Sequence, residues 1–153
     1  MDDPAGMAQV RFVVNRGLAL PARAAFEALI DWRGHADWVP MTRVVVEAGD
    51  GGDGTVFVAT TGIGPLALPD RMRVEEIDRE AMTVRIVKIG PVLSGEVQIG
   101  VREVDVDSSE VTWREDIRVP LLPQFLSGAV AALTRVAFEK SLDRMAKRMR
   151  MFA

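Results

Sequence analysis

The chain has 153 residues, 48% hydrophobic and 27% charged, a balance that excludes a disordered or collagen-like polymer and predicts one domain with a core. Nineteen Lys and Arg against 22 Asp and Glu give a formal net charge of −3, which disfavours non-specific attraction to nucleic acid or to an acidic bilayer. The absence of Cys and the single His exclude disulfides, thiolate nucleophiles, Cys-ligated zinc and multi-histidine metal sites, so no metal or other cofactor is expected.

No stretch has the roughly 18 apolar residues of a membrane span, and a cytoplasmic location is expected. Residues 1–8 read as a flexible leader and residues 9–153 as a single domain without repeat or linker. Over 10–20, Val10, Phe12, Val14, Leu18 and Leu20 fall on even positions, the period of a half-buried strand. Pro21 opens a helix over 22–30, with Phe26, Leu29 and Ile30 on one face. Residues 31–40 hold two Trp, the only His, a Gly and a Pro, and read as a broken second helical turn ending at Pro40. Six strand-like segments follow at 42–47, 55–61, 66–77, 82–89, 95–106 and 110–119, joined by turns rich in Gly, Asp, Ser and Pro. These joins leave no room for crossover helices, so an antiparallel meander is predicted. Pro120 and Pro123 stop the last strand, and residues 122–152 read as one long helix.

A sheet of about seven strands with one long helix has a packing partner on only one face. It buries that face by curving around the helix, an α+β arrangement with two short helices between the first two strands. Curvature leaves a space between sheet and helix, closed at one end by residues 21–38.

The element order, the Pro21-Ala22 start of the first helix, Trp32 with the Trp38-Val39-Pro40 segment, Trp113-Arg114-Glu115 in the last strand and the terminal helix together resemble the START-like superfamily, also called SRPBCC or birch-pollen-allergen-like. The likeness is greatest to its polyketide cyclase/dehydrase and lipid transport branch and covers nearly the whole chain. Gly49-Asp50-Gly51-Gly52-Asp53-Gly54 looks like the glycine-rich hairpin loop of the pollen-allergen branch. The resemblance implies a helix-grip fold with a hydrophobic cavity for a lipid, polyketide, steroid or similar molecule. It leaves the ligand open, because members include carriers, cyclases and co-chaperones. Read alone, the glycine-rich stretch lacks the Lys of a phosphate loop and the terminal Glu of a calcium loop, and is expected to be a flexible hairpin.

Strand parity sorts side chains into inward and outward sets. In the last strand Val111, Trp113, Glu115, Ile117 and Val119 share the inward face. The same test places Arg16 with Phe12 and Val14, Asp70 with Met72 and Val74, and Lys88 with Val84 and Ile86. Buried charges demand partners, so these four are predicted to pair or to reach water through a filled cavity. A three-residue loop at 78–80 puts Asp70 opposite Lys88, which makes that pair the first choice. The alternative has Arg16 and Lys88 snorkelling to the rim, with only Glu115 enclosed. Glu115 is the leading candidate for proton transfer, since burial beside Trp113 favours the neutral acid; the competing reading is a structural hydrogen bond or ion pair to the terminal segment. His35 is either a proton shuttle at the cavity mouth or a surface histidine capping a helical turn.

The terminal helix carries two apolar stripes: Ala131, Thr134, Phe138, Leu142, Met145 and Met149, and, on a separate face, Leu122, Leu126, Ala129, Leu133 and Val136. If the first faces the sheet, its small members leave space near the start of the helix. The second then needs cover from the 62–68 loop, from a second copy over residues 122–136 in a homodimer, or from another partner. The leading functional expectation is a binding module that encloses one small apolar ligand. Trp38, Phe57, Met72, Trp113, Leu133 and Phe138 form its walls, and Asp70, Lys88 and Glu115 its polar part. The alternatives are a polyketide cyclase or dehydratase using Glu115 or His35, and an interaction module without ligand.

Overall fold

A computed structural model of the protein describes residues 7–151; residues 1–6, within the expected leader, and residues 152 and 153, at the expected helix end, lie outside the described residues. Alternation decides the strands. In β1 (Met7–Leu18) Ala8, Val10, Phe12, Val14 and Leu18 are buried while Arg11, Val13 and Asn15 are exposed. The strand starts earlier than the periodicity suggests, because Met7 and Ala8 pair with Pro120 and Val119, so those two residues belong to the sheet and not to a leader. Leu20 is buried but lies beyond the strand, in the bend that leads to Pro21.

Pro21 holds the extended conformation that precedes a helix, and α1 (Ala22–Leu29) buries Ala22, Ala25, Phe26 and Leu29. A single turn, α2 (His35–Trp38), ends where Val39 becomes extended ahead of Pro40. Six strands follow: β2 (Thr42–Ala48), β3 (Val56–Thr61), β4 (Leu68–Asp78), β5 (Thr83–Ile89), β6 (Ser94–Asp105) and β7 (Ser108–Pro120). Leu66 precedes β4 in a short 3-10 turn instead of starting the strand. The sheet is fully antiparallel in the order β1-β7-β6-β5-β4-β3-β2, the predicted meander with β1 added beside β7.

Bulges between Val46 and Ala48, Val74 and Glu76, and Glu103 and Asp105 sharpen the twist of the sheet. Gly95 supplies a further bend: its φ is +137°, and a Cβ there would overlap the carbonyl oxygen of Asp116 on β7. On the concave side lies α3 (Ser127–Met151). It begins at Ser127 and not at residue 122, because Pro123 is extended (φ −61°, ψ 136°) and a 3-10 turn at Gln124–Leu126 intervenes.

The first apolar stripe of α3 meets the sheet. The buried residues of α3, Ser141, Leu142, Met145 and Ala146, all lie in the second half of the helix, and Arg16 of β1 ties that half down through Asp143 at 2.9 and 2.6 Å. The first half stands away from the core: Leu133 is 73% exposed and Leu126 and Val136 are also exposed. The 62–68 loop does not cover that stripe, since Ile63, Leu66 and Leu68 are themselves exposed. No helix among the described residues is long and apolar enough to cross a membrane.

Candidate functional site

The gap left by this lopsided docking is a cavity of about 110 Å³ between the concave face of the sheet and α3 near Phe138. Period-two alternation builds its walls: Phe57, Ala59 and Thr61 from β3, Asp70 and Met72 from β4, Ile86 and Lys88 from β5, Val97 from β6, and Trp113 and Glu115 from β7. His35, Val39 and Thr42 close one side and Phe138 closes the helix side. The Trp113 and Phe138 rings lie 4.7 Å apart at their centroids, and Phe138 is 5.7 Å from Phe12. Phe57 stacks on Trp32 at 4.9 Å, and the Trp32 indole N–H donates to the Gly51 carbonyl at 2.8 Å.

Three strand-borne ionisable side chains, Asp70, Lys88 and Glu115, share this apolar space with His35. Lys88 and Glu115 are each 6% exposed. The Lys88 ammonium donates to Asp70 Oδ2, and Trp113 Nε1 donates to Glu115 Oε1 at 3.0 Å. Burial pushes the Lys88 pKa down, but attraction to Glu115 and Asp70 with the Asp70 hydrogen bond outweighs it, and the pKa stands above its ordinary 10.5. Lys88 is therefore a resident cation. The second Asp70 oxygen, Oδ1, is buried without a hydrogen-bond partner among the described residues.

Asp70 and Lys88 pair as expected, but through a different register. Asp78 faces Thr83, so four residues form the loop, and the bulge after Val74 leaves Met72 opposite Lys88. Asp70 therefore reaches Lys88 diagonally, a distance that a long lysine stem spans easily. Lys88 does not snorkel to the rim: it is enclosed with Glu115. Arg16 is half-exposed outside the cavity, paired with Asp143 and with Glu139 at 3.6 Å; its hydrogen bond to Asp143 raises the guanidinium pKa and lowers that of the carboxyl.

His35 is not a surface histidine. It is half-buried, lines the cavity, and its ring lies 5.5 Å from Trp32 and 4.7 Å from Trp38. Its Nε2 donates to the Leu29 carbonyl at 2.7 Å, which fixes the neutral tautomer, and burial lowers its pKa from the ordinary 6.5. Two expected wall residues lie elsewhere. Trp38 is buried behind His35 and faces the outer grooves beside α3, and Leu133 sits on the outward face of the helix. Val39, Thr42, Ala59, Thr61 and Val97 line the cavity without having been singled out; parity with Phe57 marks Ala59 and Thr61. The glycine-rich loop, expected to be flexible, is pinned by Gly51 N–H to Thr55 Oγ1 at 2.9 Å and Ile77 N–H to Asp53 Oδ1 at 2.8 Å. It closes the end of β2 and β3 opposite the cavity residues Thr42 and Thr61.

A wider groove of about 610 Å³ runs between α1, α2 and the end of α3, but the exposed charges of Glu27, Asp31, Asp37 and Arg148 ring it. The internal cavity, by contrast, combines apolar walls with enclosed ionisable groups. The fold recurs in solved structures. A START superfamily protein from Mycobacterium smegmatis superposes with a TM-score of 0.74 at 15% identity, covering 95% of this chain and 99% of its own. The ZhuI aromatase/cyclase from Streptomyces sp. R1128 gives 0.71 at 17%, covering 96% of each. Norcoclaurine synthase from Thalictrum flavum, in complex with dopamine and hydroxybenzaldehyde, gives 0.72 at 16%, covering 97% of this chain and 90% of its own. No curated protein matches the chain in sequence. The profile of the polyketide cyclase / dehydrase and lipid transport family matches residues 9–150, and with that match over a helix-grip fold the chain belongs to this family of the START-like superfamily.

Proposed function

We propose that the protein encloses one small apolar molecule in the cavity beneath α3, with Asp70, Lys88 and Glu115 receiving its polar end. The observation that carries this reading is an aromatic-walled hollow into which the ionisable side chains of Asp70, Lys88 and Glu115 converge from β4, β5 and β7. A domain that sought stability alone would fill such a space with hydrocarbon, because an enclosed ion pair contributes little net stability over an apolar isostere. The proposal places the protein in the cytoplasm, where a chain without cysteine has no disulfide to lose.

The test is a titration with toluene, followed by the fluorescence of the cavity-lining Trp113, beside the variant Ala59→Phe. Ala59 lines the cavity, so a benzyl group there fills it. Saturable one-to-one binding by the native chain, lost in a folded Ala59→Phe protein, is the expected result. Equal binding by both proteins refutes the site.

A second reading is favoured by Glu115, a carboxyl enclosed beside a resident cation. Such a carboxyl can give or take a proton from an enclosed polyketide-like substrate during a cyclisation or dehydration. Glu115→Gln keeps the shape and the acceptor for Trp113 Nε1; unchanged affinity with abolished turnover identifies this role, and unchanged turnover removes it.

A further inference from the structure

We infer that the protein docks reversibly on an anionic lipid bilayer through the end of the sheet that carries residues 62–67, 90–93 and 121–126. The inference goes beyond the enclosing of a ligand and stands on surface chemistry alone.

A meander sends successive connections to opposite ends of its sheet. Thr61 pairs with Leu68 and with Thr42, Ile89 with Ser94, and Pro120 with Met7. The β3–β4 and β5–β6 connections and the exit from β7 therefore share one end, with Met41 ahead of β2. These segments are uncharged: no Asp, Glu, Lys or Arg occurs over 62–69, 89–95 or 119–134. The connections at the other end hold Asp50, Asp53, Asp78, Glu80, Asp105 and Asp107 against Arg79. The net charge of −3 thus averages an acidic end with an uncharged apolar one, and only the acidic end repels an anionic surface.

Exposure completes the contrast. Leu66, Leu121 and Phe125 are 87%, 91% and 84% exposed, and Ile63, Leu126 and Leu133 are exposed beside them in the chain. A scattered exposed leucine is ordinary, whereas a set gathered at one uncharged end marks an interaction surface. Side chains exposed to this degree are protruding tips and not groove walls. Tips suit a flat, deformable interface, while a partner's helix or a second copy of the chain requires a complementary groove. Arg43 and Arg144, both exposed, line one groove with Met41 and Ile63; the acid of that groove, Asp37, faces Arg148 at 3.9 Å. Apolar tips that enter the interface, beside guanidinium groups that meet anionic headgroups, are the two components of peripheral attachment. The cavity-lining Thr42 and Thr61 lie at this same end, so docking brings the enclosed space next to the bilayer.

Co-sedimentation with vesicles of equal parts phosphatidylserine and phosphatidylcholine tests the docking. The full chain is used, so that Asp2 and Asp3, outside the described residues, take part. Leu66→Ser/Phe125→Ser removes two tips, Arg43→Gln/Arg144→Gln removes two charges, and Val106→Ser alters an apolar side chain 75% exposed at the opposite end. All of these side chains are exposed, and thermal melting checks that each variant is folded. The native chain should sediment saturably with the vesicles, and less in high salt. Partitioning should fall at least about tenfold in the tip variant and roughly fivefold for each arginine removed, and Val106→Ser should match the native chain. No sedimentation with the vesicles, or equal sedimentation of the native and tip variants, overturns the inference. Binding that ignores both phosphatidylserine and salt overturns its anionic part. A native dimer in analytical ultracentrifugation that the tip substitutions dissociate overturns it in favour of a second copy. Each of these results leaves the enclosing function standing, since toluene binding reads that separately.

Discussion

Removing the charge of Lys88 while keeping its stem, Lys88→Met, is the most demanding test of the enclosed cluster. The lysine side chain is 5% exposed and that of Asp70 15%, so water cannot take over the screening when the ammonium is removed. Asp70 then loses its ion-pair partner, and Glu115 loses the cation that it attracts across the cavity. Removing one member of an enclosed ion pair typically costs about 3–5 kcal/mol, a large fraction of the 5–15 kcal/mol of a domain. Urea unfolding at pH 7 should show this loss. The double variant Lys88→Met/Asp70→Leu should recover most of the stability, because no lone Asp70 charge remains. A loss below about 1 kcal/mol for the single variant, or no recovery in the double, refutes the picture of a dry cluster.

Gly95→Ala should destabilise by about 3 kcal/mol or more, since the added Cβ meets the Asp116 carbonyl at a φ of +137° that alanine avoids; thermal melting measures it. Arg16→Met should cost only about 0.5–1 kcal/mol, because both partners are partly exposed, and the cost should fall in high salt. His35 gives a pH dependence with a definite sign. Burial lowers its folded pKa, so the unfolded chain takes up a proton near 6.5 while the folded chain still resists it. Stability from this residue is complete above 6.5 and is lost as the pH falls toward the folded value. Melting curves across that range should flatten in His35→Gln, and an unchanged slope contradicts the buried placement.

Much of the site was legible because a strand has an integral period. Once Trp113 faces inward, Glu115 must follow, and Lys88 follows Ile86 for the same reason. What parity cannot see is an inserted residue. The bulge after Val74 and the four-residue loop shift β4 against β5, so the Asp70–Lys88 pair forms diagonally and not face to face. Helix faces are harder to assign than strand faces. Leu133 looks apolar enough for a wall, yet its direction depends on where the helix begins and which half docks, and Pro123 delays that start. The placement of His35 depends on the fold of a ten-residue connector, where Trp32 and Trp38 close on the imidazole and the Leu29 carbonyl accepts its N–H hydrogen bond. Cavity volume depends on side-chain packing across several strands and a helix, which no local pattern encodes.

The central claim is that one small molecule is held between the sheet and α3, and methyl-resolved NMR with phenol as the guest tests it most directly. Intermolecular Overhauser contacts and saturable shifts at Ala59, Ile86 and Val97 are the predicted result. Shifts confined to the exposed Leu66, Leu126 and Leu133, with those interior methyls unmoved, would contradict it.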